Sequence, residues 1–408
     1  MTISHYTKWA TLLFPLLLPL YLVRLHLGPL PTTLLELSWL LVCAAVTWES
    51  GFSIWKEGIQ RTKTWHLPVI AWIIATAIAV LITPNHLAAF GLWRAYVIEP
   101  VLFFIILAAT MKTRSDREIV IKSFIGVSIV IALWSIIQFV TNQGIPHPWN
   151  VEILHRRATG PFPFPNAVSL FCAPIAALCV GLLNRADKPT REMRTWYIVG
   201  FLAATIATIL AKSVGGCLAI GVATTLVLLK NNKSRWPTLV AGALLALFVW
   251  FTPPIHTAVV RTFTFNEWSG KVRTIIWKET WNMLKDHPIT GAGFGAYPEV
   301  IKPYHKATFI EIFQYPHNIL FNFWSETGIL GVLVFCWIVG IWIKSSLRAR
   351  VSPQDCAWTL LPLVAILIQG LVDVPYFKND LAFAFWMFAA LTLLIPSQAS
   401  EPRQSTRA

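Results

Sequence analysis

The chain has 408 residues, of which 56% are hydrophobic and only 13% are charged, and its mean hydropathy is +0.61. A soluble domain cannot bury that much apolar surface, so the composition excludes a soluble globular protein and indicates a polytopic membrane protein. The formal net charge is +14. We interpret this charge as a signal of membrane orientation, and we expect membrane lipids but no nucleic acid as partners.

Apolar runs long enough to span a bilayer follow one another along the chain, and they predict about twelve transmembrane helices in one all-α domain, 1–408. The runs are 9–27, 30–48, 67–83, 88–111, 119–140, 166–183, 196–211, 214–230, 237–252, 319–343, 356–372 and 380–395. The first run is long and is followed by Arg24, so we expect no cleaved signal peptide. The polar tail, 396–408, is expected to be a disordered cytoplasmic segment.

The distribution of basic residues predicts which side each loop faces. With the N-terminus inside, the cytoplasmic loops hold Lys56, Arg61, Lys63, Lys112, Arg114, Arg117, Arg185, Lys188, Arg191, Arg194, Lys230, Lys233, Arg235, Lys344, Arg348 and Arg350. The short outer loops hold only Arg24, Arg156, Arg157, Lys212 and Lys378. By the positive-inside rule, both termini are therefore expected in the cytoplasm.

One long hydrophilic insertion, 253–316, falls on the predicted outer side. Within it Val272, Ile276 and Leu284 recur at helical spacing, which predicts an amphipathic helix lying at the membrane surface. Three alternate glycines follow, with Gly293 in the middle, and they predict a flexible loop whose backbone can approach a ligand. Alone, a tight turn is the commoner role of such a stretch.

The insertion ends where an apolar run begins, and this junction carries the best candidate base. Pro316 predicts a helix start that places His317 and Asn318 in the first turn, where free N–H groups and the helix dipole favour a neutral histidine. Asn322 and Glu326 follow at four-residue spacing on the same face. A lone histidine at the membrane surface usually only hydrogen-bonds to water. Polar groups within the membrane are energetically unfavourable, however, so several of them on one face indicate a function.

Other ionisable residues lie within or at the ends of apolar runs. Arg94 and Glu99 are expected to form a structural ion pair within one membrane helix. Asp373, at the outer end of a later run, has two possible roles: it orients His317 or binds a sugar hydroxyl. The alternative for Asp373 is a simple helix-end charge.

Several short motifs occur in a fixed order. They are Arg157-x-x-Gly160, Phe164-Pro165-Asn166, Lys212-Ser213-x-Gly215-Gly216, Arg273-x-x-Ile276-Trp277, Asp286-His287-Pro288-x-x-Gly291-x-Gly293-x-Gly295, Pro316-His317-Asn318 and Ser325-Glu326-x-Gly328. Together they resemble the O-antigen ligase/polymerase superfamily of bacterial inner-membrane glycosyltransferases. The family often has Ser-Arg-Gly where this chain has Ser213-Val214-Gly215, so Lys212 is expected to supply the missing cation, without the planar fork of arginine.

The resemblance implies a GT-C-like enzyme that takes a glycan from undecaprenyl diphosphate at the periplasmic face of the inner membrane. The acceptor is the lipid A–core oligosaccharide for a ligase, another glycan for a polymerase, and a protein hydroxyl for a third branch. The modest size of the insertion favours the ligase. A polysaccharide transporter or flippase is the alternative from a different class, but it should show matched repeats and broken midplane helices, and the sequence shows no such pair.

The chemistry of the donor fits the candidate residues. Negative charge develops on the leaving diphosphate, and arginines stabilise such charge with paired hydrogen bonds. We therefore assign His317 and Arg273 as catalytic and the following as substrate-binding: Arg157, Lys212, Asn166, Asn318, Glu326, Asp373 and Gly293. Lipid headgroup contact is the alternative role for the three cations. We expect no cofactor and no metal, because no Asp-x-Asp motif occurs in an outer loop and the six cysteines lie in or beside apolar runs.

Overall fold

The structure is a computed structural model that describes residues 3–27, 30–185, 188–230, 232–347 and 357–393, so the predicted tail lies outside the described residues. Within these ranges the regular structure is helical, apart from one antiparallel hairpin formed by β1 (Arg24–Leu27) and β2 (Leu30–Thr33). The helices up to the middle of the chain are α1 (His5–Leu12), α2 (Leu34–Ser50), α3 (Ser53–Arg61), α4 (His66–Ile82), α5 (His86–Trp93), α6 (Glu99–Thr110), α7 (Arg114–Thr141), α8 (Pro165–Leu183) and α9 (Arg191–Leu210). Those that follow are α10 (Val214–Lys230), α11 (Asn232–Phe251), α12 (Pro253–Phe263), α13 (Trp268–Asp286), α14 (Tyr297–Val300), α15 (Ile319–Leu347), α16 (Leu360–Gly370) and α17 (Asn379–Ala390).

Seven of the described helical segments are long and apolar enough to cross a membrane. They are Lys63–Ile82, His86–Thr110, Arg114–Thr141, Pro165–Leu183, Arg191–Leu210, Asn232–Phe251 and Ile319–Leu347. An eighth is added if α2 and α3, which meet at 108°, count as one bent span. The structure thus confirms a polytopic, all-α membrane protein, but length and hydropathy support fewer spans than the about twelve predicted. Apolar helix α16 is only about 17 Å long at the usual rise per residue.

The first predicted span, 9–27, is not one helix. Helix α1 ends at Leu12, a 3₁₀ segment covers Phe14–Leu22, and strand β1 begins at Arg24. Pro15 and Pro19 explain the break, because proline has no N–H to donate to the preceding turn. The hydropathy of the run is the same whether it forms one helix or several short segments. Hydropathy alone therefore could not distinguish these two arrangements.

Helix α8 is the most buried candidate span and forms the centre of the bundle, where it packs against α9, α10 and α16. Small residues permit these close contacts. A Cβ at Gly216 would lie 2.6 Å from Cβ of Ser169, and one at Gly200 would lie 2.9 Å from Sγ of Cys179. Lipid is as apolar as the helix surfaces, so the hydrophobic effect does not drive membrane helices together. Their association therefore depends on the close packing that small residues permit.

The ion pair predicted between Arg94 and Glu99 is confirmed, with Nη1 of the arginine 3.0 Å from Oε1 of the glutamate. Residues five apart do not share a face of an α-helix. Here the segment Arg94–Ile98 is a π-helix, and the N–H of Glu99 donates to the carbonyl of Arg94, which aligns the two side chains. Arg94 also binds Glu36, whose other oxygen accepts a hydrogen bond from Asn379.

The amphipathic helix predicted in the insertion is present as α13. It buries Ile276 and Leu284, which belong to the predicted apolar face, whereas Trp281 is 44% exposed. The indole of Trp277 donates to the carbonyl of Pro316 at 2.9 Å. This bond ties α13 to the segment that carries the candidate base.

The glycine-rich loop after α13 inserts into a break in α15. At Gly328 the backbone has φ of 66° and the helix is interrupted. The N–H of Ile329 donates to Ile289 in the loop, and the carbonyl of Ser325, left free by the break, accepts from Ala292 and Gly293. The loop therefore satisfies backbone groups that a broken membrane helix would leave without partners.

Loops predicted on the same side of the membrane lie at the same end of the helix bundle. At one end Lys8 pairs with Asp116 and Lys122 pairs with Glu192. At the other, the loops after α7, α9 and α16 meet the insertion, as the next section describes. This arrangement agrees with successive spans crossing the membrane in opposite directions, as the predicted orientation assumes. Which end faces the periplasm stays a prediction.

Candidate active site

The centre of the candidate site is the carboxylate of Asp373, which follows α16 and is only 2% exposed. Its Oδ2 accepts a hydrogen bond from Nδ2 of Asn166 at 2.8 Å. Its Oδ1 accepts from the N–H of Val374 at 2.9 Å and lies 3.3 Å from Nδ1 of His317. One buried acid thus joins three separate parts of the chain.

The environment of Asp373 favours the ionised carboxylate. Burial alone would raise its pKa, but the hydrogen bond and the charge of His317 oppose burial, and so do the charge of Arg273 and the N–H of Val374. Together they lower the pKa of Asp373 to about 2. A buried charge is tolerated when it is paired and hydrogen-bonded in this way.

His317 lies before the helix rather than in its first turn, which corrects the prediction from Pro316. Helix α15 begins at Ile319, and the side chain of Asn318 accepts hydrogen bonds from the N–H groups of Leu320 and Phe321. Asn318 is therefore the N-cap, a position at which asparagine is strongly preferred. The side chain of Asn318 thus binds the free N–H groups of the first helical turn, and the His317 ring lies outside that turn.

The backbone and its neighbours hold the His317 ring in place. His317 has φ of 49°, a left-handed conformation that is uncommon for a residue other than glycine. The rings of Phe313 and Tyr315 each lie 5.0 Å from the imidazole, centre to centre, and both are edge-on. Asn318 steadies the same region, since its Nδ2 donates to the carbonyl of Leu371. The imidazole is 18% exposed, so it remains accessible to a substrate.

Arg157 reaches the centre through Asn166. Its Nη2 donates to Oδ1 of Asn166 at 2.8 Å, and its Nε donates to the carbonyl of Ala211 at 2.9 Å. Burial lowers the pKa of Arg157, and the positive charge of Arg273 lowers it further. A guanidinium nevertheless stays protonated in proteins, so the site holds two cations that an anion would stabilise.

Arg273 approaches Asp373 from the other side, on helix α13. Its Nε donates to the carbonyl of Val372 at 2.8 Å, next to Asp373 in the chain, and its Nη1 donates to Oγ of Ser269. Helix α13 is fixed to the His317 segment by the bond from Trp277 to Pro316. The arginine predicted as catalytic therefore lies beside the candidate base.

Lys212, the cation predicted to replace a family arginine, points elsewhere. It occupies the turn between α9 and α10 with φ of 48°, and its Nζ donates to the carbonyls of Leu154 and Ile153. Burial lowers the pKa of Lys212, and the positive charges of Arg157 and Arg156 lower it further. Lys212 lies at the correct end of the bundle, but its donors are used by the loop before α8.

Glu326 and Gly293 belong to the joint between the loop and α15 rather than to the Asp373 cluster. Oε2 of Glu326 accepts a hydrogen bond from the N–H of Gly295 at 2.6 Å. Gly293 has φ of 91°, and a Cβ there would lie 3.0 Å from Cα of Thr83. Asn322, one turn before Glu326, is buried, and its amide has no hydrogen-bond partner in the described part of the chain. The contacts of Glu326 and Gly293 are thus structural, and a role in substrate binding stays a prediction.

Sequence reasoning placed Lys378 in an outer loop but did not include it in the site. The ammonium of Lys378 lies 3.8 Å from the ring centre of Phe164 and 5.7 Å from that of Tyr315. A signal was available, because Lys378 is one of few outer cations and follows Asp373 closely in the chain.

Among the described residues, no group of three His, Cys, Asp or Glu side chains is arranged to hold a metal ion.

The fold and the site define a polytopic membrane protein with a histidine–aspartate pair and two arginines at one end of its helix bundle. A family model described as Wzy_C, O-Antigen ligase, matches residues 199–336, which contain Arg273 and His317. The resemblance found from the motifs is therefore confirmed over this segment, where the chain is similar to the O-antigen ligase family. Enzymes of this family are lipid-linked glycan transferases. A comparison with curated protein sequences finds no match.

Arg157, Asn166 and Asp373 lie outside the segment that matches the family model. The structure joins them to His317 and Arg273 by hydrogen bonds, either directly or through the backbone next to Asp373. The candidate site is thus a product of the whole helix bundle.

Proposed function

We propose that the protein is an O-antigen ligase, which transfers a glycan from undecaprenyl diphosphate to the lipid A–core oligosaccharide at the periplasmic face of the inner membrane. The observation that carries the proposal is the pairing of His317 with Asp373 beside two arginines. A base next to phosphate-binding cations is what glycosyl transfer from a lipid diphosphate requires. The name of the matching family supports the ligase among the related activities.

In the proposed reaction, Nδ1–H of His317 donates to Asp373, which fixes the tautomer that leaves Nε2 free to accept a proton. Nε2 takes the proton of the acceptor hydroxyl as the hydroxyl oxygen forms a bond to the anomeric carbon. The bond from that carbon to the diphosphate oxygen breaks, and its electron pair leaves with the diphosphate. Attack from the face opposite the leaving group inverts the anomeric carbon. Asp373 stabilises the resulting imidazolium.

The arginines are proposed to hold the leaving diphosphate. A guanidinium carries five N–H donors, and Arg157 and Arg273 each direct two nitrogens to other residues in the described part of the chain. The remaining N–H groups are available to phosphate oxygens as negative charge develops on them. Charge-assisted bonds of this kind are about twice as strong as neutral ones. The proposed reaction uses no metal ion. Transfer activity should therefore be retained in excess EDTA.

A deletion strain separates the ligase from its alternatives. Loss of a ligase leaves full-length polymer on the lipid carrier and none on the lipid A–core. Loss of a polymerase leaves single repeat units on the core, and loss of a protein O-glycosyltransferase leaves both forms of lipopolysaccharide intact. Complementation of the deletion strain with His317→Ala tests the transporter class. A flippase does not need a base, so for a flippase this variant should restore the wild-type pattern.

A further inference from the structure

Lys378 has a position between the two chain segments that build the candidate site. Its ammonium lies 3.8 Å above the ring of Phe164, which precedes the segment carrying Asn166. Its other aromatic neighbour is Tyr315, whose ring is 5.0 Å from that of His317. The ammonium therefore lies on the ring of a residue that borders the Asn166 segment, and near a second ring that packs against the candidate base.

The nitrogen of Lys378 is buried and has no hydrogen-bond partner in the described part of the chain. Three N–H donors without partners are unfavourable in a buried position, since only part of the lost hydration is replaced by the aromatic faces. The long, flexible stem is only partly buried, so a small movement presents the nitrogen to a ligand. Burial lowers the pKa of Lys378, and the charges of Asp380 and Asp373 oppose this effect.

The three other cations assigned to the site each donate hydrogen bonds to the protein. Lys212 donates to two carbonyls, and Arg157 and Arg273 each bind the protein through two nitrogens. The carboxylate of Asp373 faces Asn166 and His317, not the lysine. Of these four cations, Lys378 is the one whose nitrogen has no hydrogen-bond partner among the described residues.

Charge also favours an anionic ligand here. The diphosphate of a lipid-linked sugar is a diester with one negative charge on each phosphate, whereas Arg157, Arg273 and ionised Asp373 together carry one net positive charge. Lys378 brings these four groups to two net positive charges, the opposite of the diphosphate charge. Asp380, a buried acid at the start of the next helix, is a further charged neighbour of Lys378, and its Oδ1 has no hydrogen-bond partner in the described part of the chain.

We propose that Lys378 is the third cation of the donor site and binds the diphosphate of the lipid-linked glycan, the role that the family resemblance gives to Lys212. This inference rests on the proposed function. In the bound state the phosphate oxygens replace the missing hydrogen-bond partners of the ammonium. The flanking rings of Phe164 and Tyr315 hold the ammonium in place through their π faces.

The test is the binding of undecaprenyl diphosphate and undecaprenyl monophosphate to the purified full-length protein in nanodiscs. Lys378→Met is compared with Lys302→Met, the loss of an exposed cation in the insertion. We expect Lys378→Met to raise the Kd for the diphosphate, and the KM for the donor, at least about tenfold. Lys302→Met should stay within about twofold of wild type, and Lys378→Arg should recover most of the affinity.

A purely structural role of Lys378 predicts a different result. Lys378→Met would then lower the melting temperature but bind the diphosphate as wild type does, which would overturn the inference and leave the proposed function intact. Equal losses for Lys378→Met and Lys302→Met would also overturn it. Wild-type protein that binds neither lipid phosphate would contradict the proposed function itself, together with the inference. If Lys378→Met does not fold, the same comparison is made with Lys378→Gln.

Discussion

The carboxylate of Asp373 lies 3.3 Å from Nδ1 of His317, although 56 positions separate the two residues in the chain. The same carboxylate binds Asn166, which is 207 positions away. A buried acid with this arrangement orients the imidazole and selects its tautomer, as the acid does in other catalytic groups of this kind. Asp373 is therefore the residue through which the separate parts of the site depend on one another.

Asp373→Asn should reduce glycan transfer by about 10²–10⁴-fold while leaving the KM for the donor nearly unchanged. The amide keeps the size of the side chain but removes the charge that stabilises the imidazolium. Steady-state transfer by purified protein measures the effect. The control is Glu311→Gln, an exposed carboxylate in the insertion 253–316. Equal rates for the two variants would show that Asp373 does not act on His317.

The same acid should make stability depend on pH. The pKa of Asp373 is lowered to about 2 in the folded protein, against about 3.9 for an unfolded aspartate. A depressed pKa means that the stabilisation, of about 2–3 kcal/mol, is present above about pH 4 and is lost as pH falls through about 2. The difference in melting temperature between wild type and Asp373→Asn should therefore narrow from pH 5 to pH 2. A difference that stays constant over this range would contradict the assignment.

Arg273→Lys should raise the barrier to transfer by roughly 2–4 kcal/mol, by analogy with the loss of one oxyanion donor. Lysine keeps the charge but cannot bind Val372, Ser269 and a phosphate together, as the guanidinium fork can. The rate of donor turnover is the measurement. Arg261→Lys, at an exposed position of the preceding helix, is the control. Near-normal turnover by Arg273→Lys would reduce the arginine to a headgroup contact.

Gly328→Ala should destabilise the protein by at least about 2 kcal/mol. The residue has φ of 66°, and an added Cβ would lie 2.2 Å from the carbonyl oxygen of Ile289 in the glycine-rich loop. Gly340→Ala, in the same helix, is the matched control, because a Cβ there has no neighbour within 4 Å. Melting temperatures in detergent compare the two variants. A smaller loss at Gly328 than at Gly340 would contradict the described joint.

The orientation predicted from the basic residues places position 115 in the cytoplasm and position 300 in the periplasm. Single cysteines at Ser115 and at exposed Glu299, in a chain otherwise free of cysteine, test this with a thiol reagent that does not cross the membrane. Labelling from outside should modify position 299 and spare 115. The opposite pattern would place the candidate site in the cytoplasm.

Periodicity and hydropathy were sufficient for the features that local sequence determines. Helix α13 and the pair formed by Arg94 and Glu99 were predicted, because helical spacing and the unfavourable burial of charge act over short distances. The bond from Asn166 to Asp373 could not be predicted, since it depends on how distant helices pack. The roles of Lys212 and Lys378 were also hidden, because sequence shows a charge but not what the nitrogen contacts.

The cap of α15 shows a competition between two local signals. Proline at the first turn and asparagine at the N-cap both mark helix starts. Asn318 provides two hydrogen bonds to the first turn, whereas Pro316 only accepts the indole of Trp277 on its carbonyl. The start therefore falls after Asn318.

The central claim is that His317 is the base, and the pH dependence of glycan transfer tests it most directly. Transfer by purified wild-type protein and by His317→Ala is measured between pH 5 and 8, together with donor binding. A base must be neutral, so the wild-type rate should rise with pH, and the alanine variant should be inactive while it still binds the donor. A wild-type rate that climbs with acidity and disappears in the alanine variant would contradict the base, and would make His317 a protonated ligand of the diphosphate.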